Sequence, residues 1–184
     1  MVIIDRLKEE HQKILLMLQV LEAVCKKLEA GEDVNKNDLN KMVDFIKIYA
    51  DKSHHHKEED LLFPAMVEAG IPKEGGPIGV MLAEHTMGRN FVQGMSQALE
   101  EFPSGSADAS PKIVSNARGY IDLLTDHIYK EDNILYPMAE MHITAERHNE
   151  LLEEFEQVIT DKIGIDKHKE LIETLNQLKD TCLK

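Results

Sequence analysis

The sequence predicts an all-α protein, and three of its features indicate a bundle of long helices. Apolar residues recur every three or four positions through nearly all of the 184 residues. Strand signals are scarce, because aromatic residues make up only 5% of the chain and alternating β-branched runs are absent. Clusters of Gly, Pro and Ser divide the chain into a few long segments. We therefore predict an up-down-up-down four-helix bundle followed by two additional C-terminal helices.

Breaker residues divide the first part of the chain into four predicted helices, at about residues 5–30, 37–69, 77–102 and 111–142. Asn37 is the predicted cap of the second helix. The fourth helix is predicted to start with Ser110 as its N-cap and Pro111 at its first helical position. Residues 70–77 and 103–109 are rich in Gly, Pro and Ser, and we predict that they form loops.

Two shorter amphipathic helices follow, at about residues 144–160 and 166–183. We assign residues 1–142 to the bundle and residues 143–184 to a helical extension that packs on the bundle or mediates self-association into a homo-oligomer. Three histidines lie outside the repeat described below, on segments rich in Glu and Lys, and we predict that they face solvent: His142, His148 and His168.

The composition excludes several classes of function. With 21 Lys and Arg against 34 Asp and Glu, the formal charge is −13, which repels nucleic acid and anionic lipid. No segment has the unbroken apolar stretch of a membrane span or signal peptide, so we predict a cytoplasmic protein without membrane contact. Cys25 and Cys182 form no CxxC motif and are predicted to be reduced. Because Cys25 lies on an apolar helical stripe, we predict that it is a plain buried thiol.

An internal repeat carries the candidate chemistry. The motif His54-x-x-x-Glu58 returns as His127-x-x-x-Glu131, with a Lys before each Glu and an aromatic residue and a Pro after it. In each copy the His precedes the Glu by four residues, so both side chains project from one helix face about one turn apart. Apolar residues continue that face, and a carboxylate buried there is costly unless a cation meets it. The repeat therefore predicts two faces that bind metal.

His11 on the first predicted helix and His85 on the third also lie on apolar stripes, so each of the four helices offers an inward imidazole. Counting from the helix ends places these histidines near the levels of His54 and His127. Four histidines at matched levels beside two core-facing Glu favour a metal site over hydrogen-bonded core histidines. Mixed imidazole and carboxylate ligation suits iron, manganese or zinc, and bridging carboxylates favour two ions.

At these residues the sequence resembles the hemerythrin-like, or HHE cation-binding, family, over about residues 7–137. That family's pattern is a lone His, then His-x-x-x-Glu, another His, and a final His-x-x-x-Glu or Asp. The matching residues are, in order, His11, His54, Glu58, His85, His127 and Glu131. The resemblance implies a centre of two iron ions, oxo- or hydroxo-bridged, in which the two Glu bridge the ions and the histidines are terminal ligands.

One position departs from the family pattern. Oxygen-carrying hemerythrins place two histidines four residues apart on the third helix, whereas here Met81 stands where the partner of His85 would be. His55 is the first candidate for the missing ligand. Glu84 and Asp132 are weaker candidates, because acidic residues are expected about as often on the solvent-exposed flank of a helix without any metal.

The predicted metal ligands are therefore His11, His54, His55, Glu58, His85, His127 and Glu131. Glu59 is predicted to lie at the surface or to orient a ligand, although an offset pair of His55 with Glu59 stays open. Tyr120 and Tyr136 are predicted core or boundary aromatics. A Tyr near iron can also act as a ligand or a hydrogen-bond donor.

The sequence leaves three functional hypotheses. The first is a protein that binds or senses dioxygen, nitric oxide or iron, and it is the one we favour. The second is a di-iron enzyme that acts on peroxide or a small oxidisable substrate. The third is a protein that stores or donates iron for the repair of damaged iron centres, although the chain lacks the cysteine motif expected of cysteine-dependent repair.

Overall fold

In the computed structural model, which describes residues 2–102 and 109–183, all regular structure is helical. The all-α prediction is confirmed. There are six helices in these residues, and the longer ones follow the predicted spans. They are α1 (Val2–Glu29), α2 (residues 36–68), α3 (Pro77–Glu101), α4 (residues 109–142), α5 (residues 145–163) and α6 (Ile165–Cys182). Most of the predicted loop at residues 103–109 lies outside the described residues.

Two predicted helix starts were wrong by a few residues. The N-cap of α2 is Asn35 rather than Asn37: its side chain accepts a hydrogen bond from the Asn37 backbone N–H, at 2.8 Å. Both residues belong to an Asn-x-Asn sequence, and either can cap a helix. Helix α4 begins at Ala109, so Ser110 is not its N-cap and Pro111 is its third residue. Pro is tolerated there because N–H groups of the first turn have no partner inside the helix.

Helices α2 and α4 contain wider, π-helical turns, at Ile46–His55, Glu58–Leu62 and Glu131–Leu135. The last two occupy the same place in the two copies of the repeat, just before Pro64 and Pro137. A proline inside a helix lacks an N–H and clashes with the carbonyl four residues before it, which favours a wider turn there. Turns of this kind occur frequently at functional sites.

Neighbouring long helices run antiparallel, as their contacts show. On α1 and α4, Glu29 pairs with Arg118 near one end, and His11 meets Asp132 near the other. Helices α3 and α4 are held in the same way by ion pairs at Glu101–Lys112 and Glu84–Lys130. Two apolar cores fill the interior, one around Met17, Phe45 and Tyr120 and one around Leu7, Phe63 and Tyr136. A layer of buried polar residues lies between them.

The C-terminal helices pack against α1 and α2 of the same chain. Leu171 and Leu175 of α6 enter the first apolar core, and Leu151 and Phe155 of α5 enter the second. The division into two domains at residue 142, and self-association through the extension, stay predictions. Cys25 is buried and free, as predicted.

One of the three histidines predicted to face solvent does not do so. His148 is only 6% exposed, because α5 turns that face toward the interior, so its prediction was wrong. His142 is exposed, and His168 is half-buried beside the ring of Tyr49. Among the described residues, no helix combines the length and the apolar character that crossing a membrane requires.

Helices α3 and α4 approach each other closely at Gly119. A Cβ atom at this position would lie 2.4 Å from Cε1 of Phe91 on α3, well inside van der Waals contact. The same pair of helices carries His85 and His127, whose Nε2 atoms are 3.0 Å apart. A small residue at position 119 therefore helps to set the spacing on which the polar layer depends.

We expect Gly119→Ala to lower the free energy of unfolding by about 1 kcal/mol. Alanine gains about 1 kcal/mol of helix propensity over glycine, but overpacking against Phe91 costs about 1–3 kcal/mol. In a Phe91→Ala background the clash is absent, so the same substitution is expected to raise stability. Urea denaturation of the wild-type protein, the two single variants and the double variant measures both effects. Equal effects of Gly119→Ala in the two backgrounds would contradict the account.

Candidate metal centre

The polar layer contains all seven residues predicted as metal ligands. They come from the four long helices, one each from α1 and α3, three from α2 and two from α4. None is more than 3% exposed: His11, His54, His55, Glu58, His85, His127 and Glu131. The structure thus brings the predicted set together in one water-excluded place.

These seven residues form two overlapping groups, within each of which the nitrogen and oxygen atoms lie within 4.8 Å of one another. We call the first group site A; it comprises His11, His54, Glu58 and Glu131. We call the second group site B; it comprises His55, Glu58, His85 and His127. Both sites take residues from α2 and α4, so the two copies of the repeat meet at the centre.

The two Glu side chains face both sites. Oε1 of Glu58 lies 3.7 Å from Nε2 of His54 in site A, and Oε2 lies 3.5 Å from Nε2 of His85 in site B. Oε2 of Glu131 lies 3.1 Å from Nε2 of His11, and Oε1 lies 3.2 Å from Nε2 of His127. Each carboxylate therefore presents one oxygen to each site, as a bridging ligand would.

The adjacent residues His54 and His55 both point inward, one to each site. An ordinary α-helix separates neighbouring side chains by about 100° around its axis, since it has 3.6 residues per turn. The π-helical segment Ile46–His55 has a wider turn, and Ser53, His54 and His55 are all buried in succession. This local widening is what makes His55 available as the third imidazole of site B.

In each site two imidazoles face each other through Nε2. The Nε2 atoms of His11 and His54 are 2.9 Å apart in site A, and those of His85 and His127 are 3.0 Å apart in site B. The remaining ring nitrogen of each of these histidines contacts a carboxylate, which fixes its proton on Nδ1 and leaves a lone pair on Nε2. Two lone pairs that face each other at this distance require a cation or a proton between them.

Each of the five histidines has a carboxylate partner at Nδ1. Asp132 contacts His11 at 2.8 Å, Glu10 contacts His54 at 3.0 Å, and Asp51 contacts His55 at 3.4 Å. In the other half, Glu59 contacts His85 at 2.6 Å and Glu84 contacts His127 at 2.9 Å. Such partners orient a ligating imidazole and raise its basicity. Glu84 and Asp132 were the weaker candidates for metal ligands. In the structure they contact His127 and His11, so they orient candidate ligands instead, and Glu59 orients His85.

The Lys of each repeat holds one of these carboxylates. Lys57 pairs with Glu10, and Lys130 pairs with Glu84. Burial alone would raise the pKa of Glu10, but the hydrogen bond with His54 and the charge of Lys57 lower it to about 2. Lys57 is only 2% exposed and lies 6.0 Å from the ring centroid of Phe155, so α5 covers it. The C-terminal extension therefore seals one flank of the centre.

Sequence reasoning missed Glu10, Asp51 and the two Lys as members of the centre. One signal was present for Glu10: the dipeptide Glu10-His11 on α1 returns as Glu84-His85 on α3. The internal repeat therefore extends to the first and third helices. Asp51 lies four residues before His55, a spacing too common on solvated helix faces to single it out.

The charges of the metal-free centre are shared with protons. Burial, and then the charge of Glu131, hold the pKa of Glu58 well above its usual range. Burial alone would lower the pKa of His11 and His127, but their carboxylate neighbours raise these values to about 9 and about 10. Burial, and then the charge of His11, lower the pKa of His54 to about 4. His11 in one facing pair and His127 in the other are thus protonated at neutral pH.

The centre fits two metal ions. Oε2 of Glu58 and both oxygens of Glu131 are buried without a hydrogen bond, although buried carboxylate oxygens normally have partners. Five imidazoles and two carboxylates form a donor set that suits iron, manganese or zinc. Cations at sites A and B would satisfy the unpaired oxygens and the facing lone pairs at once.

A comparison with known protein families agrees with this arrangement. The model of the hemerythrin HHE cation binding domain matches residues 2–139, three quarters of the chain. This chain belongs to the hemerythrin HHE family. The family resemblance inferred from the sequence is therefore confirmed, and with it a hemerythrin-like metal-binding domain.

The curated relatives of this hemerythrin-like chain include iron-sulfur cluster repair proteins named YtfE. The protein of Yersinia pseudotuberculosis serotype IB (strain PB1/+) is 27% identical over 138 residues, and so is that of Yersinia pestis (strain Pestoides F). In both cases the match covers 73% of this chain and 60% of the relative. The chain thus spans about 60% of the length of these relatives. No solved structure matches it.

Metal binding is expected to release protons at pH 7. His11 and His127, with pKa values of about 9 and about 10, hold a proton on the metal-free protein, and a ligating imidazole must lose it. Metal affinity should therefore rise as pH increases from 6 to 9. Calorimetric titration with Zn²⁺ in buffers of different ionisation enthalpy measures the release, which should vanish for both histidines above about pH 10. An affinity that falls with rising pH would contradict this assignment.

Proposed function

We propose that this chain holds two iron ions at sites A and B and reversibly binds dioxygen or nitric oxide there. One observation carries the proposal: two pairs of facing imidazoles share two buried carboxylates, and three of the four carboxylate oxygens have no hydrogen bond. Glu58 and Glu131 would bridge the ions, and the five histidines would be terminal ligands. An oxo or hydroxo group would complete the bridge.

An up-down-up-down four-helix bundle is the arrangement that we propose for α1 to α4. The antiparallel contacts of α4 with α1 and α3 support it, as does the ion pair of Arg89 on α3 with Asp51 on α2. In such a bundle the inward faces of all four helices meet at one level. The helices α5 and α6 then cover the face formed by α1 and α2.

Iron is the metal that we favour over manganese and zinc. The mixed donor set accepts all three metals. The names of the relatives concern iron-sulfur cluster repair, and the match covers 73% of this chain. Iron bound at the two sites would supply redox-active Lewis acids for a diatomic ligand.

The protein's own residues would control the surroundings of that ligand. The apolar cores on either side exclude water from the polar layer. A cavity of about 520 Å³ opens between α2 and α3 and reaches His55 of site B. Its wall contains the apolar side chains of Ile46 and Val92 and the ring of Tyr120. A small neutral molecule could therefore reach the edge of the centre at His55.

A second candidate function, donation of iron for cluster repair, is favoured by the names of the relatives. Donation requires that iron leaves readily. The burial of all seven candidate ligands favours retention instead, because a metal bound there has no direct contact with solvent. We therefore place reversible ligand binding first and iron donation second.

Protein loaded with Fe²⁺ without air should contain two irons per chain and develop a charge-transfer absorption band on exposure to dioxygen. The band should disappear on deoxygenation, because the buried centre protects iron from irreversible oxidation. Glu131→Gln removes a bridging carboxylate while it preserves side-chain volume, and it should lose the iron and the band. The matched control is His142→Ala, an exposed histidine that should leave both unchanged.

Other outcomes assign other functions. Rapid irreversible oxidation with turnover of peroxide would indicate an enzyme. Complete transfer of iron to an added chelator within the time of the assay would favour donation. Less than one metal per chain in wild-type protein, or unchanged iron in Glu131→Gln, would refute the proposed centre.

A further inference from the structure

The two halves of the centre are related by the internal repeat. Residues of α1 and α2 around one site have counterparts on α3 and α4 around the other, with matching contacts. The matched pairs are Glu10 with Glu84, His11 with His85, His54 with His127, Lys57 with Lys130, Glu58 with Glu131 and Glu59 with Asp132. For example, Glu10 contacts both His54 and Lys57, just as Glu84 contacts both His127 and Lys130.

Two matched positions break this symmetry. His55, a member of site B, has Ile128 as its counterpart, so site A lacks a third imidazole. Phe63 has Tyr136 as its counterpart. Phe63 packs against His85 of site B, with ring centroids 6.0 Å apart, and Tyr136 stacks on His11 of site A at 5.4 Å. The site without the third imidazole is thus the site that has a phenol.

The hydroxyl of Tyr136 lies among the donor atoms of site A. It donates a hydrogen bond to Oε1 of Glu58 at 2.6 Å and lies 3.3 Å from Nε2 of His11. Donor atoms that bind one ion at about 2.1 Å and at right angles are separated by about 3 Å. The Tyr136 oxygen therefore has the spacing of a neighbouring ligand, and its side chain is completely buried.

We propose that Tyr136 is a ligand of the ion at site A, in the role that His55 has at site B. The two ions then differ: the ion at site B has three imidazoles, and the ion at site A has two imidazoles and one phenolate oxygen. When the ion binds, the O–H bond of Tyr136 breaks, the oxygen binds the metal, and the proton leaves to water. No electron is transferred in this step.

The inference rests on the proposed two-iron centre and goes beyond it. A harder oxygen ligand stabilises ferric iron relative to an imidazole, so the ion at site A would be the more easily oxidised of the two. Site B, which the cavity reaches through His55, would keep the all-imidazole terminal set. A diatomic ligand would then bind the ion at site A only by displacing the phenolate of Tyr136, so this residue would control the sixth coordination position there.

Resonance Raman spectroscopy of the ferric protein tests the proposal, with iron analysis on the same sample. Wild-type protein should show the ring vibrations of a metal-bound tyrosinate, and Tyr136→Phe should lose them while it keeps two irons. Removal of one of the two irons by a chelator should become about tenfold faster in this variant. Phe63→Tyr is the matched control at site B, where three imidazoles are already present. In a Tyr136→Phe background it should not restore the tyrosinate signal.

The outcomes separate this inference from the function on which it rests. Two irons per chain without tyrosinate vibrations would leave the two-iron centre standing and would show that Tyr136 only donates a hydrogen bond to Glu58. Retention of the vibrations in Tyr136→Phe would likewise overturn the assignment, because another tyrosine would be the ligand. Failure to bind two irons would overturn the proposed function and this inference together.

Discussion

The burial of acidic and imidazole groups in one water-excluded layer is the constraint on which the rest of this structure depends. Removing a single carboxylate from water costs several kcal/mol unless a positive charge compensates for it. Here Glu58 and Glu131 lie side by side, completely buried, between two apolar cores. Protons on His11 and His127 compensate for part of this charge in the metal-free protein. Two metal cations would compensate for the carboxylate charge and would also bind the facing lone pairs of the histidines.

The internal repeat explains how one chain assembles such a layer. Each half supplies a Glu-His pair on one helix and a His-x-x-Lys-Glu motif on the next, and the halves face each other. The outer carboxylates fix the tautomers of the histidines, and the two Lys hold two of those carboxylates in place. Two of the positions at which the halves differ, His55 against Ile128 and Phe63 against Tyr136, are where the two metal sites can acquire different chemistry.

Much of this could be predicted from the sequence, because periodic apolar stripes and inward histidines are local signals. The long helices, the clustering of the seven candidate ligands and the family followed from them. The sequence could not decide whether Asn35 or Asn37 caps α2, since asparagine suits the role at either position. The burial of His148 and the contacts of Asp51 and Lys57 depend on how helices pack, which no local pattern encodes. The π-helical turn that directs both His54 and His55 inward is likewise a tertiary result.

Anomalous X-ray scattering from a crystal of the iron-loaded protein tests the central claim most directly. Data collected on both sides of the iron absorption edge should show two peaks per chain, about 3.5–4 Å apart as in other two-metal sites. One peak should lie among His11, His54 and the two Glu, and the other among the imidazoles of site B. A single peak, or peaks away from Glu58 and Glu131, would contradict the account.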